Sequence, residues 1–263
     1  MGWRNAVNGG SIRPPASRLQ RHGAQARPGG NQTAAILPAT SAVATGTVPY
    51  ATLVRQFNDA PPGKLYLLHG SASVFRLSLS AAAQVLLRGI PITLVDGTNR
   101  FDAYYLAEVA RRFAGRPDTP PRGYPAHHMT PEEMLNNIFV SRAFTCYQME
   151  ALITDRLPAF VRARRSPMVI IFGLLDTFYD EQAPLFEVRN SLRRTISALH
   201  GLRKEGIAVL LASLDVRLAS RERSGLLPAL ASAMDRVYLV QDGEGAPRIA
   251  LQSARLPART TGR

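Results

Sequence analysis

Lysine is nearly missing from this chain: 30 of its 32 basic residues are arginine. Cysteine is rarer still. Cys146 stands alone, which excludes an intrachain disulfide and a thiolate zinc cluster and fits a cytosolic setting. The longest apolar runs are strand-length and broken by charge or glycine, so no membrane-spanning helix is expected. Acidic residues are absent from the first 48 positions, which hold five arginines among Gly, Ala, Ser, Thr and Pro. Too few large apolar side chains occur there to offset backbone ordering, so residues 1–48 are expected to be a flexible basic tail. An organelle transit peptide has a similar composition, but no amphipathic arginine-bearing helix is clear. Nowhere does a Gly-x-x-x-x-Gly-Lys stretch occur, which removes the ordinary phosphate-binding loop.

What is present is a globular composition: 263 residues, 46% hydrophobic and 19% charged, enough for one substantial core. The net charge of +13 is spread along the chain, with +5 in the tail, +6 from 23 positive and 17 negative groups over 50–240, and +2 beyond. Such a chain is attracted to polyanions: DNA, RNA or an acidic partner. Arginine usage of a GC-rich genome on a solvated surface explains the same numbers, so charge alone leaves both readings open.

The apolar runs Lys64–Gly70, Ile90–Asp96, Asn137–Val140, Met168–Phe172, Ile207–Leu211 and Arg236–Val240 read as strands. Helices are expected over 77–87, 104–113, 148–165, 188–203 and 226–234. Another starts at Thr130-Pro-Glu-Glu133, where threonine, proline and glutamate form a capping box. Near-continuous apolar strands separated by helices predict an α/β domain over 49–255, a mostly parallel sheet with helices on both faces. Ile249–Ser253 closes a C-terminal hairpin, and 256–263 is expected to be a flexible end. Ligands of such sheets bind beyond the strand C-termini.

A strand, a glycine turn and a helix set the place for a phosphate loop, which needs glycines, a lysine and a metal-binding hydroxyl. Here the stretch is Gly70-Ser-Ala-Ser-Val-Phe75-Arg76-Leu77: glycine opens it, but Phe75, Arg76 and Leu77 replace the second glycine, the lysine and the hydroxyl. Further on come Asp96-Gly-Thr98-Asn-Arg-Phe101, Ser141-Arg-Ala-Phe144-Thr-Cys-Tyr-Gln148, Met168–Phe172 leading to Gly173-Leu-Leu-Asp176-Thr-Phe-Tyr179, and Ala231–Val240. In order and content these segments, over roughly residues 60 to 255, resemble the ATPase core of the RecA/Rad51/RadA recombinases and their paralogues.

The resemblance implies a RecA-like P-loop NTPase fold with eroded catalytic signatures. Thr98 falls where the family has its water-activating glutamate, Gly173 where it has the magnesium aspartate, and Leu214 where it has a nucleotide-sensing glutamine. Asp176 follows three residues after Gly173. Hydrolysis needs charge neutralisation, a metal and an oriented water together. A chain lacking these residues is expected to be non-catalytic, with neither ATP nor magnesium expected as cofactor. The loop that meets DNA in the recombinases here carries Arg217, Arg221 and Arg223, candidates for backbone phosphates of DNA, single-stranded by preference. Phe57-Asn-Asp-Ala60 matches the Phe-x-x-Ala pattern with which Rad51-like proteins dock on neighbours, so Phe57 and Ala60 are candidates for partner contact.

The implied role is DNA repair or recombination, through DNA, a RecA/Rad51-like or other repair protein, or both. The setting would be cytoplasmic, and nucleoid-associated if DNA is bound. A purely structural protein-binding subunit is one alternative. A divergent nucleotide-binding ATPase using Arg76 and Asp176 is another. Asp96, Asp176, Asp180 and Glu181 can also be read as a metal-assisted site, or as capping and loop solvation. His127 and His128 lack a recognisable paired nucleophile. Cys146 reads as a buried, inert thiol. Arg142 and Phe144 can serve a binding groove, or Phe144 packs in the core and Arg142 pairs with an acidic neighbour.

Overall fold

A computed structural model describes residues 3–5, 48–55, 63–114, 129–180, 182–215 and 221–254. In chain order the strands are β1 (Arg4–Asn5), β2 (Leu65–Gly70), β3 (Ile92–Asp96), β4 (Ile138–Arg142), β5 (Met168–Phe172), β6 (Ala208–Leu214), β7 (Arg236–Gln241) and β8 (Arg248–Ala254). The α-helices are α1 (Tyr50–Arg55), α2 (Ser73–Leu86), α3 (Ala103–Ala114), α4 (Pro131–Asn136), α5 (Cys146–Ala151), α6 (Leu157–Arg164), α7 (Leu174–Phe178), α8 (Leu185–Lys204) and α9 (Leu226–Ser232).

All eight strands join one sheet in the order β1-β4-β3-β5-β6-β2-β7-β8. The pairings from β4 through β7 are parallel, and only the flanking β1 and β8 run antiparallel. The chain is therefore an α/β protein with a mostly parallel sheet, closed at one side by the β7–β8 hairpin. Side chains alternate between two buried layers. Tyr66, Leu94, Ile170, Phe172 and Leu210 face α1 to α4. Leu67, Val95, Val169, Ile171 and Leu211 face α5 to α9. Both faces being covered explains why β3 and β5 are apolar at almost every position.

Several boundaries differ from the sequence expectation. The helix expected over 77–87 begins at Ser73, four residues earlier. The helix expected over 148–165 is interrupted by a π turn at Leu152–Arg156, followed by Pro158. Proline offers no amide to the preceding turn, and the widened turn accommodates its ring. Within the stretch expected to be a tail, Arg4–Asn5 pairs with Val140 and Phe139 of β4. Trp3 stacks on Phe160 with ring centroids 4.6 Å apart, an aromatic anchor that holds this short strand to the edge. The capping box at Thr130 forms as read: its hydroxyl accepts from Glu133 N–H, and the Glu133 carboxylate accepts from Thr130 N–H. Among the described residues no helix is long and apolar enough to cross a membrane.

The start of the inner strand β2 is tied to the start of β7 by one carboxylate. Asp235 is buried, accepts from Leu65 N–H at 2.8 Å and pairs with Arg203 at 2.9 Å. Removing it leaves a buried amide and a cation without their acceptor. Asp235→Ala is therefore expected to lower stability by about 1–3 kcal/mol in urea unfolding.

Candidate functional site

The C-terminal ends of the parallel strands bring together Gly70, Asp96, Gly173 and Leu214, with Phe75 and Thr98 just behind them. No phosphate cradle forms there. Gly70 ends β2, and α2 starts after only Ser71 and Ala72. A phosphate loop needs backbone amides aimed at the ligand before the helix begins. Here Val74 N–H donates to Ser71 O at 3.1 Å and Phe75 N–H to Ala72 O at 3.3 Å, so the turn closes on itself. Gly70 has φ +128°, and a Cβ on it would lie 2.0 Å from Val240 O. The glycine is there for close contact between β2 and β7.

The three residues in place of glycine, lysine and hydroxyl all lie in α2. Phe75 is 5% exposed and meets Phe172 edge to face at 5.1 Å. Leu77 is buried in the same layer. Arg76 points outward, its guanidinium 4.8 Å from the Tyr105 ring centre on α3. Beside it, Tyr50 donates to Ser80 at 2.6 Å, and the Ser80 and Tyr105 hydroxyls lie 2.5 Å apart. Ser73 opens α2 and donates to the Asp242 carboxylate at 2.6 Å, which holds that carboxyl below its ordinary range. The chain thus sets its own anion beside the helix start, where the helix dipole favours negative charge.

The positions matched to the catalytic glutamate and the metal aspartate pack on each other. Gly173 adopts the left-handed conformation (φ +65°), and a Cβ there would lie 2.0 Å from the Thr98 methyl. An aspartate at 173 does not fit beside this threonine. Leu214, in register with Gly70, packs against the apolar layer and offers no polar group to a nucleotide.

Asp96 is fully buried and organises the turn after β3. Its Oδ1 accepts from Thr98 N–H at 3.0 Å and Arg100 N–H at 3.2 Å, and its Oδ2 from Phe101 N–H at 3.0 Å. Of the two readings of Asp96, a metal-assisted site or capping and loop solvation, these bonds are those of capping. Asp176 is half-buried, and desolvation raises its carboxyl pKa against the pull of the Arg100 charge. One of its oxygens is buried without a hydrogen-bond partner. Arg100, which the sequence did not single out, also lies 5.8 Å from the Phe75 ring. Asp176 thus feels the charge of Arg100, while Arg76 sits against α3. No group of three or more His, Cys, Asp or Glu suited to a metal occurs among the described residues.

Arg223 corrects the reading of the arginine loop. It is 5% exposed, and its guanidinium donates to Phe178 O at 2.9 Å and Ala183 O at 2.5 Å. It clasps α7 to the approach to α8 and is not free to meet phosphate. Arg221 opens a 3₁₀ turn with Arg223. Arg217, Phe57, Ala60, Glu181, His127 and His128 lie outside the described residues.

Phe144 also departs from expectation: it is 57% exposed, not core. Its amide donates to the Gln148 side chain, which turns the chain into α5 and leaves the ring outside. Arg142 is exposed and has no acidic partner among the described residues. Cys146 is buried as read, and burial pushes its thiol pKa up. Tyr147 and Phe186 are exposed at 48% and 66%, and the Tyr147 hydroxyl donates to Glu187 at 2.5 Å, joining α5 to α8. Two surface cavities border these helices. One, of about 400 Å³, is lined by Asn190, Arg193, Arg194 and Ser197, and the other, of about 240 Å³, by Gln148, Ala151, Leu152 and Arg156.

No protein-family model matches this chain, and no curated protein matches it.

Because Phe75 is a core residue, installing a phosphate-loop sequence here is expected to yield no ATPase. The combined change F75G, R76K and L77S should yield no phosphate release from ATP. It should also cost more in urea unfolding than the about 3–5 kcal/mol that loss of a buried phenylalanine alone costs, since buried Leu77 is lost with it. Phosphate release with stability intact would overturn the closed-turn account.

Proposed function

We propose that this chain is a non-catalytic RecA/Rad51-like paralogue that acts in DNA repair or recombination by binding DNA, a partner ATPase, or both. The observation that carries the reading is the closed β2–α2 turn. The amides of Val74 and Phe75, placed where a nucleotide phosphate would be met, bond within the turn, and Phe75 fills the space behind them. The Thr98–Gly173 contact supports it, since the positions of two catalytic carboxylates hold a matched pair of uncharged groups. The segments Asp96–Phe101, Ser141–Gln148 and Ala231–Val240 supply the likeness to the recombinase core.

For DNA contact, Arg217 and Arg221 remain candidates from the loop, and Arg223 is withdrawn. The surface around α5 and α8 adds to them. Phe144, Tyr147 and Phe186 present exposed rings, and Arg142, Arg189 and Arg193 are exposed on the same or adjoining elements. Rings that stack bases and cations that meet phosphates are the two parts of single-strand recognition. A purely structural protein-binding subunit is the second reading, favoured by the same three exposed aromatics. The divergent-ATPase reading, using Arg76 and Asp176, gains less support, since Arg76 stacks on Tyr105.

Fluorescence anisotropy with a labelled single-stranded oligonucleotide tests the proposal. Affinity should fall with rising salt, with a log–log slope of about −0.7 per phosphate neutralised. Replacing Arg142, Arg189 and Arg193 with alanine should flatten that slope, whereas F144A or F186A should weaken binding by about 1–3 kcal/mol for each base that stacks. No binding by the full chain removes the DNA branch and leaves the protein-binding subunit. Calorimetry with ATP and magnesium should show no binding.

A further inference from the structure

At the same sheet edge, His69 is buried at the end of β2 and is bound on both ring nitrogens. Nδ1 lies 2.8 Å from Asp215 Oδ1, just past the end of β6, and Nε2 lies 2.7 Å from Gln252 Oε1 on β8. The imidazole is 7% exposed, while the Asp215 side chain is 43% exposed, so protons reach the ring through a partner that touches water. With both nitrogens facing oxygen acceptors, only the imidazolium donates to each. The neutral ring has one proton and keeps the second bond only if the Gln252 amide turns over. With Nε2 committed to Gln252 and no nucleophile bound to it, the pair is not arranged for acid–base catalysis.

We propose that His69 is a proton-controlled clamp that fastens the C-terminal strand β8 to the sheet when charged and loosens it when neutral. β8 is the strand this affects because it stands at the sheet edge, hydrogen-bonded to β7 alone among the strands. Its other aids are Val48 N–H donating to Ile249 O at 2.8 Å and the apolar contacts of Ile249 and Leu251. Among the described residues, the groups facing the clamp are few. Asp215 comes from the end of β6, and β8 contributes the uncharged Gln252. Leu239 of β7 is in register with His69. Tyr179, after α7, senses Asp215 and Asp176, and burial pushes its hydroxyl up to about 12, so it stays neutral. Asp242, beyond β7, is bound by Ser73.

Burial alone would lower the His69 pKa, but the hydrogen bonds to Asp215 and Gln252 and the Asp215 charge outweigh it and raise the net value. A histidine raised above its unfolded value of about 6.5 stabilises fully below that pH, and the contribution fades as pH rises through the folded value. The clamp is therefore closed on the acid side and opens on the alkaline side.

The test is carried out on the full chain from about pH 5.5 to about pH 8.5, across the ordinary histidine range. Histidine-selective ¹³C/¹⁵N NMR should show the His69 ring protonated on both nitrogens to a higher pH than a free histidine. Hydrogen exchange, corrected for its intrinsic pH dependence, should show β8 amides losing about fivefold protection across the titration, the difference between a charge-assisted and a neutral hydrogen bond. In His69→Gln this pH dependence should vanish. Gln252→Glu adds a second carboxylate and should move the transition to higher pH, which keeps the proposal testable if His69→Gln does not fold. A ring that titrates at or below the free value, or β8 protection with the same pH profile in His69→Gln, overturns it. None of these readouts involves DNA, so the clamp and the proposed binding function stand or fall separately.

Discussion

The contact between Phe75 and Phe172 determines what the C-terminal edge of this sheet can be. Phe75 is buried against the end of β5, and α2 begins after only two residues beyond β2. Once α2 starts at Ser73, the local amides bond inside the turn and the loop that would wrap a phosphate has no length left. The neighbouring changes agree with this closure. Thr98 and Gly173 meet in van der Waals contact, Leu214 joins the apolar layer, and Asp96 holds the turn after β3 through backbone amides. The edge is held together by packing, in the manner of a core whose parts must fit together.

Arginine is used in the same structural way in several places. Arg223 clasps two carbonyls, Arg203 pairs with buried Asp235, Arg164 lies over the Phe139 ring, and Arg162 meets Glu205. The planar guanidinium donates along several directions and stacks on rings, which lysine does not do. The overall excess of +13 therefore overstates the charge free for a polyanion. Arg142, Arg189 and Arg193 remain exposed on the same or adjoining elements as the exposed rings of Phe144, Tyr147 and Phe186.

Much of the architecture was legible in the chain. Six strands were placed because both faces of a parallel sheet are buried and the apolar runs are nearly unbroken. The capping box at Thr130 was read from four residues because a cap is local chemistry. The π turn was missed because periodicity does not register one extra residue per turn. The start of α2 was placed late because Ser73, Val74 and Phe75 carry no helix-start signal of their own. Phe144 was misplaced because a lone phenylalanine is buried more often than not, and only the Gln148 contact turns it out.

The sequence by itself determined the order of the six inner strands and the absence of any Gly-x-x-x-x-Gly-Lys stretch, since these are properties of contiguous residues. Only the tertiary structure decided what stands in its place. Arg223 reaches a carbonyl 45 positions away, and His69 joins partners 146 and 183 positions away. Thr98 and Gly173 likewise meet from adjacent strands. Contacts of that range depend on which strands the fold sets side by side, and no local pattern in the chain records them.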